Sequence, residues 1–264
     1  MQHASGRMLA ETEDGIGLLT FNQPDKRNAM SVEMWDALAD ILNAWREDDA
    51  VRVVVLTGAG HKAFVSGADI SQFERIRGDA EARRTYDRLT QAGRAALAEF
   101  PKPLIARIRG YCLGGGLGIA MQADLRIAGE DSEFGIPAAR LGIAYGLEAT
   151  RRLVSLVGPA HARMLLLTGA RIGAAEAARI GLVNRVVPDE DLSDTVVDIA
   201  RTVADNAPLS VRAAKLIVEQ ATRDSDRRDA AAVEAAVASC FDSEDYREGR
   251  TAFLEKRAPR FTGR

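Results

Sequence analysis

Apolar residues recur along this chain in two periods, and the switching between them predicts its architecture. Ile16-Gly17-Leu18-Leu19-Thr20-Phe21 reads as a strand that ends at Asn22 and Pro24. Ser31 then caps a helix with Glu33 in its first turn, and Met34, Leu38, Ile41, Leu42 and Trp45 keep one face of it apolar. The β-branched run Val51-Arg52-Val53-Val54-Val55-Leu56-Thr57 predicts a buried parallel strand. A helical pattern fills about Asp79 to Glu99, and Pro101 and Pro103 stop it ahead of the strand Leu104-Ile105-Ala106-Arg107-Ile108. Asp124-Leu125-Arg126-Ile127-Ala128 and Val183-Asn184-Arg185-Val186-Val187 read as further short strands. This succession predicts α/β crossover units. From Asp189 onward the pattern is nearly all helix. Pro208 opens a segment carrying Val211, Lys215 and Val218, a second covers about Arg227 to Cys240, and a last one runs to Lys256. We read 1–187 as a core and 188–264 as a helical region.

Composition removes several classes of function. Hydrophobic residues make up 47% and charged residues 28%, ordinary for a soluble globular protein. Lys and Arg (35) are interspersed with Asp and Glu (38), for a net charge of −3, so no field favours nucleic acid or an anionic membrane. Cys112 and Cys240 make no disulfide framework and suit a reducing compartment. His3, His61 and His161 are scattered, without zinc-site spacing. No run approaches a transmembrane span, and the N-terminal residues lack an apolar signal core, so the expectation is a cytoplasmic protein.

The most specific chemistry lies in glycine. Gly110-Tyr111-Cys112-Leu113-Gly114-Gly115-Gly116-Leu117-Gly118 holds five glycines in nine residues, between a strand and an apolar helical run. A strand entering a helix through glycine exposes unpaired backbone N–H groups, which suit an anion or an oxygen that gains charge in a reaction. Phe64-Val65-Ser66-Gly67-Ala68-Asp69-Ile70 offers a second donor from another loop. Two N–H groups aimed at one oxygen are what a thioester enolate requires. No Gly-Lys-Ser/Thr follows, as a nucleotide-phosphate loop would need. Gly58-Ala59-Gly60-His61-Lys62-Ala63 matches the dinucleotide fingerprint, but no helix start follows it, and NAD binding is discarded.

Together these sites resemble the crotonase superfamily, the enoyl-CoA hydratase/isomerase family, from about Gly15 to Arg260. The resemblance rests on Asp25-Lys26-Arg27-Asn28-Ala29-Met30, the two glycine sites, Ala123 to Ala128, Phe134-Gly135-Ile136-Pro137, Leu141-Gly142, Gly181 to Val187, and Phe253-Leu254-Glu255-Lys256-Arg257. It implies a spiral of stacked ββα units with a C-terminal helical region supporting a homotrimer or a dimer of trimers. It also implies an acyl-CoA substrate and an enolate held by the N–H groups of Ala68 and Gly115. No separate cofactor is implied, since coenzyme A is part of the substrate. Carried over by position, the acyl-CoA contacts are Lys26, Arg27, Ala29, Phe64, Ser66, Gly67, Asp69, Ile70, Gly114, Pro137, Phe253 and Lys256, the last two often reaching a neighbouring subunit. Ser71 stands where relatives often place a lysine.

The side chains depart from the family's hydratases, in which two glutamates hold and activate the water. Gly118 and Ala138 occupy those positions, and neither can move a proton. Tyr145 and Glu148 are the candidate replacements. Tyr145 reads equally as a pocket-lining aromatic, and Glu148 as a first-turn helix carboxylate. Arg140 offers a cation to an acyl carboxylate, or is merely solvated. The segment around Tyr145 and residues 242–257 resemble methylmalonyl-CoA decarboxylase, although that relative has histidine where Ala68 stands. Three functions stay open: an unconventional hydratase or isomerase, a decarboxylase of a malonyl-type thioester, and a non-catalytic acyl-CoA binder.

Overall fold

The computed structural model describes residues 1–69 and 80–264. β1 (Gln2–His3), β2 (Met8–Glu13) and β3 (Ile16–Phe21) run antiparallel, and β3 then pairs in parallel with β4 (Val53–Gly58). The intervening α1 (Val32–Glu47) begins as its sequence predicts, with Ser31 Oγ accepting from Met34 N at 3.3 Å.

Beyond this point the chain lays down strands in pairs. β4 is followed by β5 (Ala63–Val65), β6 (Leu104–Ile108) by β7 (Tyr111–Leu113), and β8 (Leu125–Gly129) by β9 (Glu133–Gly135). The first of each pair joins a seven-stranded sheet of order β1-β2-β3-β4-β6-β8-β11, closed by β11 (Arg185–Val187). The second joins a four-stranded sheet of order β10-β9-β7-β5, with β10 (Arg171–Gly173) at one edge. β4, β6 and β8 are mutually parallel, as are β5, β7 and β9, so each step advances both sheets by one strand. This is the α/β spiral that the resemblance implies.

Helices connect and cover the strands: α2 (Ala80–Ala98), α3 (Gly115–Ala120), α4 (Leu147–Thr168), α5 (Ala174–Arg179), α6 (Leu192–Asp205), α7 (Pro208–Ala221), α8 (Ala230–Phe241) and α9 (Glu244–Glu255). α4 is broken at Gly158-Pro159, where Gly158 adopts φ 71°.

Strand alternation divides the core. Val54, Leu56, Ala106 and Ile108 face the main core shared with the second sheet, α1 and α3. Val53, Val55, Ile105 and Ile127 face the other way, onto Leu192, Val196, Ala200 and Ala204 of α6. α6 therefore covers the large sheet, although the sequence reading assigns it to the region beyond the core. Several short elements also depart from that reading. The run from Val183 becomes a strand only at Arg185, because Asn184 turns to bond Arg126 N through its side chain at 2.8 Å. Among the described residues, no helix is long and apolar enough to cross a membrane.

Candidate active site

The site is assembled from two loops that leave neighbouring strands of the small sheet. After β5 the chain turns through Gly67 at φ 121°, a conformation that disfavours any side chain. A parallel bridge ties this turn to Met30: Met30 N donates to Gly67 O at 2.8 Å, and Asp69 N donates to Met30 O at 2.9 Å. The residue between those two groups turns its own N–H away from the bridge. Ala68 N is thus left out of the bridge, and it lies beside the loop after β7.

The three consecutive glycines of that loop have three different reasons to be glycine. Gly114 holds φ 53° and ψ −117°, and its N–H donates to Gly135 O at 2.8 Å. Gly116 is buried, and a Cβ there would lie 1.9 Å from Val65 O, so helix and strand approach closely only without one. Gly115 is exposed, and a Cβ there would meet nothing nearer than 3.8 Å, one of the atoms at that distance being Ala68 N. Packing does not demand glycine at 115, and its bare Cα leaves open space beside Ala68 N. Gly115 opens α3, where an N–H has no partner within its helix, and neither Ala68 N–H nor Gly115 N–H donates to other backbone among the described residues. Two donors from separate loops therefore border one space.

Tyr145 reaches this loop from the turn ahead of α4. Its hydroxyl donates to Gly114 O at 3.0 Å, and a Cβ on Gly118 would lie 3.2 Å from that hydroxyl oxygen of Tyr145. Burial pushes the phenol up to about 12, opposed by the positive charge of Arg94. Ala138 is buried in a short 3-10 helix spanning Pro137–Leu141, which Pro137 begins. Glu148 is exposed on the first turn of α4, and its carboxylate has no hydrogen bond or ion pair among the described residues. Arg140 is exposed, its Nε 3.4 Å from Thr168 O.

The remaining candidates separate by what they touch. Lys26 Nζ lies 2.7 Å from Asp69 Oδ2, a pair in which Asp69 is buried and Lys26 half exposed. It holds the 23–30 loop to the donor loop, reinforced by Ser66 N on Arg27 O at 3.1 Å and Ser66 Oγ on Lys26 O at 3.4 Å. Ala29 is buried, its carbonyl accepting from Gln23 Nε2 at 3.3 Å. Phe64 is a core side chain, edge-on to Phe21 at 5.6 Å between ring centroids, so what it presents to the site is backbone. The guanidiniums of Arg27 and Arg171 each lie 5.2 Å from the centroid of Tyr111. Phe253 and Lys256 are exposed on α9 and at its C-cap, with no hydrogen bond or ion pair to the donor loops among the described residues. Ile70 lies outside the described residues.

Other residues shape the site without having been singled out as contacts. Asn28 is fully buried at φ 56°; its Nδ2 donates to Ala59 O (3.0 Å) and Ala63 O (2.8 Å), and its Oδ1 accepts from Gln23 N (3.0 Å). Its signal in sequence is the tolerance of asparagine for left-handed backbone. Arg94 carries no such signal, since it sits on a helix face of mixed charge and half exposed. Among the described residues, no group of three His, Cys, Asp or Glu side chains is placed to hold a metal.

Comparison with known proteins gives the family. The family model described as "Enoyl-CoA hydratase/isomerase" matches residues 11–264. A crotonyl-CoA hydratase of Syntrophomonas wolfei is 39% identical over 256 residues, covering 96% of this chain and 97% of that protein. A short-chain-enoyl-CoA hydratase of Clostridium acetobutylicum is 38% identical, covering 95% of each. Among solved structures, an enoyl-CoA hydratase/carnithine racemase from Magnetospirillum magneticum superposes with a TM-score of 0.93 at 34% identity, covering 98% of this chain and 96% of that one. An enoyl-CoA hydratase from Bacillus anthracis superposes at 0.90 with 33% identity, covering 98% and 100%.

Proposed function

The chain belongs to the enoyl-CoA hydratase/isomerase family, the crotonase superfamily, and from that premise we propose that it binds an acyl-CoA thioester and stabilises its enolate with Ala68 N–H and Gly115 N–H. The observation that carries this reading is the convergence of these two free donors on one space, with Gly115 kept bare beside Ala68 N. As a bond at Cα breaks, the thioester oxygen gains charge, and donors already in place stabilise it without reorganising. Losing one such donor costs about 10²–10³ in rate.

Proton transfer in this reading falls to Tyr145 instead of the two glutamates of the family's hydratases, whose positions are Gly118 and Ala138. The phenol stays protonated at neutral pH, so it donates a proton and does not accept one. Hydration needs a base for the attacking water; isomerisation needs one to take a Cα or Cγ proton. Decarboxylation needs neither. That observation favours a second reading, in which a malonyl-type thioester loses CO₂ and the released electron pair forms the enolate. Tyr145 or water then protonates Cα, and solvent restores the phenol.

Lys26, Arg27, Ser66, Phe253 and Lys256 complete the proposed coenzyme A contacts. Phe241, Phe253 and Leu254, exposed by 61%, 83% and 78% in the single chain, support assembly through the 188–264 region into a homotrimer or dimer of trimers. A non-catalytic binder would use the same contacts.

Mass spectrometry of crotonyl-CoA and of malonyl-CoA, each incubated with purified protein, separates these readings. Gain of one water by crotonyl-CoA supports the hydratase, and loss of CO₂ from malonyl-CoA supports the decarboxylase. Tight binding with neither mass change leaves an isomerase or the non-catalytic binder, which the position of the double bond in the recovered thioester tells apart.

A further inference from the structure

The donor helix α3 cannot hold itself. It is six residues long, Gly115-Gly116-Leu117-Gly118-Ile119-Ala120, and three of them are glycine. Isolated helices shorter than about 12 residues are marginal in water, and glycine is among the poorest helix formers. Its position, and with it the direction of Gly115 N–H, must be set by neighbours.

One short segment grips both of its ends. At the N-cap, Tyr145 donates to Gly114 O at 3.0 Å. At the C-cap, Arg152 Nε donates to Met121 O at 2.7 Å. The residues from Tyr145 to Arg152 are one turn and the start of α4, so both grips come from one continuous segment. A second guanidinium supports the far end: buried Arg126 donates to Ala123 O at 2.5 Å and to Leu182 O at 2.7 Å. Asp124, which bonds Lys215 at 2.8 Å and Leu104 N at 2.7 Å, anchors the same exit from α3 to β6.

We propose that Arg152 is a positioning residue for the thioester site: by holding the Met121 carbonyl it fixes α3 along its axis and keeps Gly115 N–H aimed at the substrate oxygen. Arg152 touches no substrate in this arrangement. Its effect is carried through the backbone of α3, and the inference rests on the assignment of Gly115 N–H as a donor.

The test is isotope-edited infrared spectroscopy of [1-¹³C]acetyl-CoA, a thioester with no double bond to hydrate and no carboxylate to lose. Bound to the wild-type protein, its carbonyl stretch shifts down through polarisation by the two donors. In R152A we expect loss of about half of that downshift or more, while affinity changes less than about threefold. R152Q keeps an N–H within reach of the Met121 carbonyl at lower structural risk, and is expected to retain an intermediate downshift. A full wild-type downshift in folded R152A, or in folded R152M (aliphatic bulk without a donor) where R152A does not fold, overturns the role of Arg152. A wild-type protein that binds acetyl-CoA without any downshift overturns the donor assignment itself, a separate failure.

Discussion

The hydroxyl oxygen of Tyr145 stands 3.2 Å from the place a Cβ would take on Gly118. The tyrosine thus fills the volume through which a longer residue at 118 would enter the site. A proton-transferring side chain at 118 and a tyrosine at 145 are competitors for one space. Restoring both carboxylates as G118E/A138E is therefore expected to give a protein with no gain in crotonyl-CoA hydration. Adding Y145A opens the space, and hydration is expected to rise by about 10²-fold or more, the usual contribution of a placed acid–base group. Coupled turnover assays on the double and triple variants compare the two directly.

Removing the hydroxyl alone isolates its chemistry. Y145F keeps the ring but loses the bond to Gly114 O, which is expected to lower stability by about 1 kcal/mol. Turnover is expected to fall by about 10²-fold or more if Tyr145 donates the proton. The phenol is displaced from its ordinary 10.0 up to about 12, chiefly by burial. The protonated form is thus bound more tightly in the native state. Its stabilisation is complete below pH 10.0 and is lost as pH rises through about 12. Urea unfolding across that range should show a steeper decline in the wild type than in Y145F.

Gly115 and Gly116 should respond oppositely to the same substitution. In G116A the new Cβ would lie 1.9 Å from Val65 O, so backbone must move, at a cost of about 3 kcal/mol. G115A meets nothing within 3.8 Å, and alanine favours the helix by up to about 1 kcal/mol. Its methyl, however, stands beside Ala68 N where the thioester oxygen would sit. G115A is expected to fold at least as stably as the wild type and to lose about 10²-fold in rate. Denaturation midpoints paired with turnover for the two variants check this.

How much of this was legible in the sequence depends on length and on period. α1, β4 and β6 are long or strongly patterned and lie close to their predicted places. β5, β7, β9 and β10 are three residues each, too short for alternation to register, although they build the sheet that carries both donors. The periodicity of α6 marks an apolar face but not the surface it covers, so its packing on the large sheet emerges only in three dimensions. The glycine loops and the absence of carboxylates at 118 and 138 could be read directly. The occupation of the space at Gly118 by Tyr145 could not, because it joins residues that only the fold brings together.

The Lys26–Asp69 pair tests whether the first loop serves structure or coenzyme A. Because Lys26 is about half exposed, its share of the pair is screened, and K26A is expected to cost about 1 kcal/mol in chemical denaturation. If Lys26 also meets a phosphate, K26A should weaken CoA binding severalfold, and the loss should shrink at high salt. Titration calorimetry at two ionic strengths separates the two contributions.

The pairing of β5 with β7 fixes more than a sheet. Ala68 and Gly115 leave adjacent strands a few residues after Val65 and Leu113, so the gauge between the two donors derives from the inter-strand repeat of about 4.8 Å. That repeat is set by backbone hydrogen bonds and is indifferent to side-chain identity. Such a spiral can exchange its glutamates for glycine and alanine and bring in a tyrosine from another turn without altering the distance between its donors. In the proposed reading, the polarising device and the proton-moving device are separately heritable, and a chain can keep one while replacing the other.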